Sequence, residues 1–211
     1  MTSGKEEAGK GKVQRLGMLG GTFDPVHIGH LVLGEAAREE IGLDRVIFVP
    51  TGHSWRKSDR EITPAGHRLE MLRLAVAGNP NFEVSTLEIE REGPSYSEVT
   101  LAGLRDSNPG AEMFFILGRD ALADLPNWHN PSAVVSLATL VVAARGEDMS
   151  PASEDSALAR LNARIISLKM PVIGVSATDI RQRVHDGRSI RYQAPDAVAE
   201  YIEARGLYRG A

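Results

Sequence analysis

Two histidines, His27 and His30, close a segment that begins Gly20-Gly21-Thr22-Phe23-Asp24-Pro25-Val26 and passes from a strand-like run into helix-compatible sequence. Glycine is needed where the backbone takes positive φ or where something approaches it closely. A helix N-terminus presents outward-pointing amides and a favourable dipole to an anion. Imidazoles three residues apart share one side of the helix mouth, where both can face a bound phosphate chain. These residue types therefore point to nucleotide binding. His27-x-x-His30 also has the form of half a metal site, but no further His, Asp or Glu cluster completes it, so no metal ligand is assigned. An Asp-Pro turn accounts for Asp24-Pro25 and leaves the second histidine and the glycine pair unexplained. Neither the dinucleotide fingerprint nor the Walker spacing occurs, so hydride transfer and kinase-type chemistry lose their main support.

A second constellation lies far downstream. Ser176 can cap a helix, Thr178 places a hydroxyl in its first turn, and Arg181 follows on the same side. A guanidinium fork beside helix amides suits phosphate oxygens. The same residues also read as an ordinary capped helix with a solvated arginine.

Such groups need a frame. Apolar, β-branched runs at 13–19, 45–49, 82–89, 112–117, 138–143 and 164–168 alternate with helical stretches at 31–41, 64–77, 97–106, 153–162, 177–186 and 195–204. The pattern predicts an α/β fold, a Rossmann-like, doubly wound, mostly parallel sheet with helices on both faces. Ligands then bind beyond the carboxyl ends of the strands, and the glycine-histidine segment follows the first of these. Residues 51–62 and 146–151 read as loops.

Composition narrows the field. The chain has 211 residues, 42% of them hydrophobic, which suits a disordered tail over 1–12 and a single domain over 13–211. A formal charge of −4 argues against broad coating of nucleic acid and leaves room for a small polyanion. The absence of cysteine excludes disulfides, thiolate zinc sites and cysteine nucleophiles. No apolar run approaches a membrane span and the N-terminus lacks a hydrophobic signal core, so a cytoplasmic protein without a membrane partner is expected. A homo-oligomer is compatible with all of this.

The segment from Gly20 through His27-Ile28-Gly29-His30 resembles the signature of the HxGH nucleotidylyltransferase superfamily. Val175-Ser176-Ala177-Thr178-Asp179-Ile180-Arg181 resembles its Ser-Ser/Ala-Thr-x-x-Arg segment. Between them, Gly93-Pro94-Ser95-Tyr96-Ser97, Phe115-Ile116-Leu117-Gly118-Arg119-Asp120 and Asn127-Trp128-His129 resemble segments of the bacterial nicotinate mononucleotide adenylyltransferase family, and the likeness extends over about 16–208. The 52–57 loop departs from that family's usual Pro-Pro-His-Lys, reading Gly52-His53-Ser54-Trp55-Arg56-Lys57, and looks like an actinobacterial variant.

The resemblance implies adenylyl transfer from ATP to nicotinate mononucleotide, with Mg²⁺ bridging the ATP phosphates. ATP would be held by Gly20, Gly21, Thr22 and Phe23 through the main chain, and by His27, His30, Lys57, Ser176, Thr178 and Arg181. His30, His27 and Arg181 would carry catalysis. Thr22, Tyr96, Ser97, Gly118, Asp120, Trp128 and His129 would receive the mononucleotide. Trp128 offers a flat face to a pyridine ring, and helix-start amides could hold its carboxylate, so the acid should be preferred over the amide. The attacking phosphate has a second pKa near ~6, so no general base is required. Three alternatives stand beside this reading. One is a related transferase acting on nicotinamide mononucleotide, phosphopantetheine or a cytidylyl acceptor. The others are a noncatalytic nucleotide sensor and a hydrolase using His27 and His30 on a metal.

Overall fold

The computed structural model describes residues 13–52, 61–145 and 156–210. Six strands form one sheet: β1 (Arg15–Gly21), β2 (Arg45–Pro50), β3 (Phe82–Val84), β4 (Glu112–Leu117), β5 (Thr139–Arg145) and β6 (Ile165–Met170). Side chains alternate between faces in a strand, and here each face is buried in its own layer. Val46 and Phe48 of β2 and Phe114 and Ile116 of β4 enter one hydrophobic cluster. Ile47 and Val49 of β2 and Met113, Phe115 and Leu117 of β4 enter the other. A sheet covered on both faces needs near-continuous apolar strands, which is why β2 and β4 read as unbroken runs.

Every strand pair is parallel, and the order is β3-β2-β1-β4-β5-β6. The expected mostly parallel sheet is thus wholly parallel among the described strands. The connections leave β1 for β2 on one side and later return to β4 on the other, so the topological switch lies between β1 and β4. A crevice opens there at the carboxyl ends.

The helices are α1 (Ile28–Ile41), α2 (Ala65–Val76), α3 (Leu87–Glu90), α4 (Ser97–Ser107), α5 (Arg119–Asp124), α6 (Pro131–Leu137), α7 (Ser156–Arg160), α8 (Ala177–His185) and α9 (Asp196–Ala204). Helix α1 stops at Gly42, whose left-handed φ of 69° lets the chain turn back and donate to Arg38 O. Gly34 lets α1 lie close on the sheet, because a Cβ there would stand 3.0 Å from the Phe48 ring.

Two expectations need correction. The run 82–89 is not one strand: pairing ends at Val84, and Leu87–Glu90 turns into α3. Ser85 Oγ accepts from Leu87 N at 3.3 Å, and such local side-chain bonds compete with a ladder. Between β4 and β5 the sequence reading named no helix, whereas α5, a 3₁₀ turn at Leu125–Asn127 and α6 lie there. Asn130 caps α6 by accepting from Ala133 N, with Pro131 in its first turn. The predicted tail 1–12, Lys57 and residues 153–155 of the predicted helix 153–162 lie outside the described residues. No described helix is long and apolar enough to cross a membrane.

Candidate active site

Strand β1 delivers the chain into the turn Thr22 to His27, and α1 starts at Ile28. Phe23 takes a left-handed φ of 48° and is buried at 2% exposure. That conformation costs roughly 1–2 kcal/mol for a residue with a Cβ, which burial of the ring offsets. Its edge meets the His30 ring at 4.9 Å and its face tilts over Phe48. The predicted substrate contact of Phe23 is therefore restricted to its main chain, because the side chain belongs to the core.

His27 and His30 stack at 3.8 Å. His27 N donates to His30 Nδ1 at 3.2 Å. A ring nitrogen that accepts carries no proton, so neutral His30 keeps its proton on Nε2 and is a donor there. Burial lowers the His27 pKa to about 4, and burial followed by the charge of His27 lowers His30 to about 3. Both rings are neutral at pH 7. His27 Nδ1 is buried without a hydrogen-bond partner.

A measurable consequence follows for stability. Unfolded imidazoles titrate near 6.5, so as pH falls the unfolded chain takes up protons before the folded one does. The stability these rings confer is complete above about 6.5 and is lost as pH falls toward their folded values of about 4 and 3. Histidine NMR titration of the free protein is expected to show two of the six imidazoles with midpoints below ~5. Midpoints near 6.5 for both His27 and His30 would refute their burial as neutral rings.

The turn is tied down from three directions. Arg181 of α8 donates through Nη1 to Asp24 O at 2.6 Å and through Nη2 to Thr178 Oγ1 at 3.1 Å. Ser176 caps α8, accepting from Asp179 N as predicted from its type. The two distant motifs thus meet at the carboxyl end of β1. Tyr208 donates its hydroxyl to Asp24 Oδ1 at 2.7 Å, with burial and the Asp24 charge pushing the phenol pKa well up. Arg68 of α2, only 3% exposed, donates to Thr22 O at 2.9 Å, Thr63 O at 2.8 Å and Gly52 O at 3.5 Å.

Arg68 and Tyr208 had no functional role in the sequence reading. The signal for Arg68 was its place three and four residues before Met71 and Leu72, on the buried face of α2. For Tyr208 the only pointer was that the family likeness extends to position 208.

Beside the turn lies a cavity of about 370 Å³, lined by Gly20, Gly21 and Thr22 from the β1 end, Tyr96 and Ser97 from α4, and Asp120, Trp128 and His129. The volume is within the range of small-molecule sites, ~300–1,000 Å³. Of the predicted mononucleotide residues, only Gly118 is not on its wall; it precedes α5 as the exposed N-cap residue. Phe23, His27, His30, Ser176, Thr178 and Arg181 do not line this cavity. Helix α4 starts without a side-chain cap, and Val99 N already donates to Tyr96 O at 3.1 Å. The cavity also gathers Glu88, Ser95, Glu98 and Asp124, none of them singled out beforehand. Gly52 joins the two sides: its N–H donates to Ser95 Oγ at 3.1 Å, and a Cβ would stand 1.9 Å from Glu88 O. Among the described residues no group of three or more His, Cys, Asp or Glu is placed to hold a metal ion.

Residues 18–183, a span that includes both motifs and the cavity between them, match the family model described as cytidylyltransferase-like. The chain belongs to the cytidylyltransferase-like family. Among the relatives of this family member is a probable nicotinate-nucleotide adenylyltransferase of Thermomicrobium roseum, 46% identical over 198 residues, 93% of this chain and 92% of that one. Another, from a Roseiflexus species and with the same description, is 49% identical over 196 residues, 92% of this chain and 98% of its own. The fold is shared with Plasmodium falciparum nicotinic acid mononucleotide adenylyltransferase complexed with NaAD, at a TM-score of 0.73 and 16% identity, covering 92% of this chain and 97% of that one.

Proposed function

We propose that this family member is a nicotinate-nucleotide adenylyltransferase of NAD biosynthesis, converting ATP and nicotinate mononucleotide into deamido-NAD and pyrophosphate. The observation that carries the reading is the meeting of Arg181 with the Asp24 carbonyl, which joins both phosphate motifs beside a ring-lined cavity. Relatives described as probable enzymes of that activity support it over 92% and 98% of their own length. ATP occupies the mouth of α1 and the start of α8, and the mononucleotide fills the cavity.

One phosphate oxygen of the mononucleotide attacks the α-phosphorus of ATP. A P–O bond forms there as the bond to the β-phosphate oxygen breaks, and pyrophosphate leaves with the electron pair. The nucleophile is already ionised, so the protein positions two anions in line and neutralises charge. His30 donates from Nε2 toward the charge that develops on the transferred and leaving phosphates, with His27 beside it. Arg181 brings its guanidinium charge from α8 to the β- and γ-phosphates. Gly20, Gly21 and Thr22 bring main-chain groups to both substrates, and Lys57 assists at the phosphates. Mg²⁺ would arrive with ATP and supply further neutralisation of phosphate charge.

In the cavity, Trp128 covers the pyridine ring, Asp120 faces the sugar, and amides at the start of α4 and near His129 meet the carboxylate. The acid is accordingly favoured over the amide. Pyrophosphate release measured with ATP, Mg²⁺ and either mononucleotide is expected to show turnover with the acid and weaker turnover with the amide. No turnover with either would overturn the assignment.

A further inference from the structure

The segment after α9 returns to the turn that follows β1. Helix α9 ends at Ala204, Gly206 takes a left-handed φ of 62°, and Leu207 N closes the helix end by donating to Ile202 O at 3.0 Å. Tyr208 then takes a left-handed φ of 63°, a region that disfavours any residue with a Cβ. Its hydroxyl donates to Asp24 Oδ1 at 2.7 Å, and the Thr63 side chain hydrogen-bonds the same phenol. Asp24 is only 2% exposed, and Thr63 leads into α2. One hydroxyl thus joins the segment after α9, the turn between β1 and α1, and the approach to α2.

Asp24 is gripped at a second point, because Arg181 donates to its carbonyl at 2.6 Å. It stands three residues before His27 and six before His30. A shift of its carboxylate therefore carries both imidazoles and the Arg181 fork with it. Arg68 bridges the same two neighbours of the tail, donating to Thr22 O and Thr63 O. The two bridges differ in what they fix. Arg68 holds main-chain carbonyls and supports the fold, whereas Tyr208 holds the side chain of the residue that Arg181 meets. Loss of the phenol hydroxyl alone leaves the Arg68 bridge and the packing of the ring against the core in place. It withdraws one donor from a buried carboxylate.

We propose that Tyr208 is a positioning residue for ATP: through Asp24, the segment after α9 sets the turn that carries His27 and His30 and the aim of Arg181. The inference rests on the placement of ATP at the mouth of α1. By linkage, a nucleotide that needs the turn in this position must in return tighten the segment that holds it.

The test reads ATP apart from the mononucleotide. Tyr208→Phe is expected to lower kcat/KM for ATP about 5- to 30-fold, while KM for nicotinate mononucleotide stays within ~2-fold. Calorimetric binding of α,β-methylene ATP with Mg²⁺, which needs no turnover, should weaken about 3- to 10-fold in the same variant. Tyr201→Phe is the control. It removes another phenol bond of α9, the one between Tyr201 OH and His67 Nδ1 of α2 at 2.9 Å, and should leave binding of the analogue unchanged at a comparable fall in melting temperature. Hydrogen exchange of the unaltered chain needs no substitution: the analogue should slow exchange of the Gly206 and Leu207 amides at least ~3-fold, and the mononucleotide should not. A chain that binds the analogue in this Tyr208-dependent way yet releases no pyrophosphate fails the functional assignment and sustains the inference. Unchanged affinity of folded Tyr208→Phe for the analogue, an equal loss in Tyr201→Phe, or amide exchange after α9 that is indifferent to the bound analogue overturns the inference even in an active enzyme. An unaltered chain that does not bind the analogue overturns both.

Discussion

His30→Ala is expected to lower kcat by roughly 10²- to 10³-fold, a loss of about 3–4 kcal/mol of transition-state stabilisation, with KM for each substrate changed only a few-fold. The split follows from where the donor acts. His30 Nδ1 is occupied by His27 N, which leaves Nε2–H as the donor, and burial keeps the ring neutral without any proton transfer. A preorganised donor aimed at charge that grows during reaction lowers the barrier more than it tightens ground-state binding. His30→Gln, which retains a terminal N–H donor, should recover part of the loss. Steady-state kinetics with both substrates varied, alongside a thermal melt to confirm folding, measures this. A folded His30→Ala protein with wild-type kcat would remove His30 from the mechanism.

The second large effect belongs to a residue with no proposed substrate contact of its own, which holds Thr22. Arg68→Met should destabilise the fold by about 3–5 kcal/mol, the scale of losing a buried charged group from its partners, and lower the melting temperature by ~10 °C for a chain of this size. Three main-chain carbonyls, on Thr22, Gly52 and Thr63, accept from this one guanidinium. Without it those oxygens are left short of donors in a buried place, at ~1–3 kcal/mol each where no water replaces the bond. Turnover should fall with stability, because Thr22 lies between the phosphate side and the cavity and Gly52 holds Ser95. Arg68→Lys retains the charge but not the planar fork that reaches separate loops, so it should fall between the two. A Met variant that melts within ~2 °C of the parent would show that the three carbonyls find other donors.

Much of the frame was legible because its signals are local. Strand 112–117 was predicted with the bounds observed for β4, since two buried faces leave an unbroken apolar run between turn residues. The Ser176 cap was legible because a hydroxyl before a helical stretch bonds an amide three residues on. The glycine and histidine types at 20–30 marked a strand-to-helix junction before any fold was known, and the structure places it between β1 and α1. Less was legible where an apolar run was broken by local bonding, as at Ser85 and α3, or where helices were as short as α5 and α6.

By itself the amino-acid sequence determined the parallel α/β frame and carried the two motifs and the Trp128 segment on which the proposed phosphate and ring sites rest. Tertiary structure alone decided which groups hold those parts in place. Tyr208 reaches Asp24 across 184 residues and Arg181 reaches the same residue across 157. The His30 tautomer depends on one main-chain bond, and the pairing of His129 with Glu98 depends on where α4 and the 3₁₀ turn bring them. An arginine or a glutamate has the same formula on a solvated face as in a buried one. Its partners are set by packing between elements that no local pattern records, and those partners decide whether it is solvent-facing charge or the support of a site.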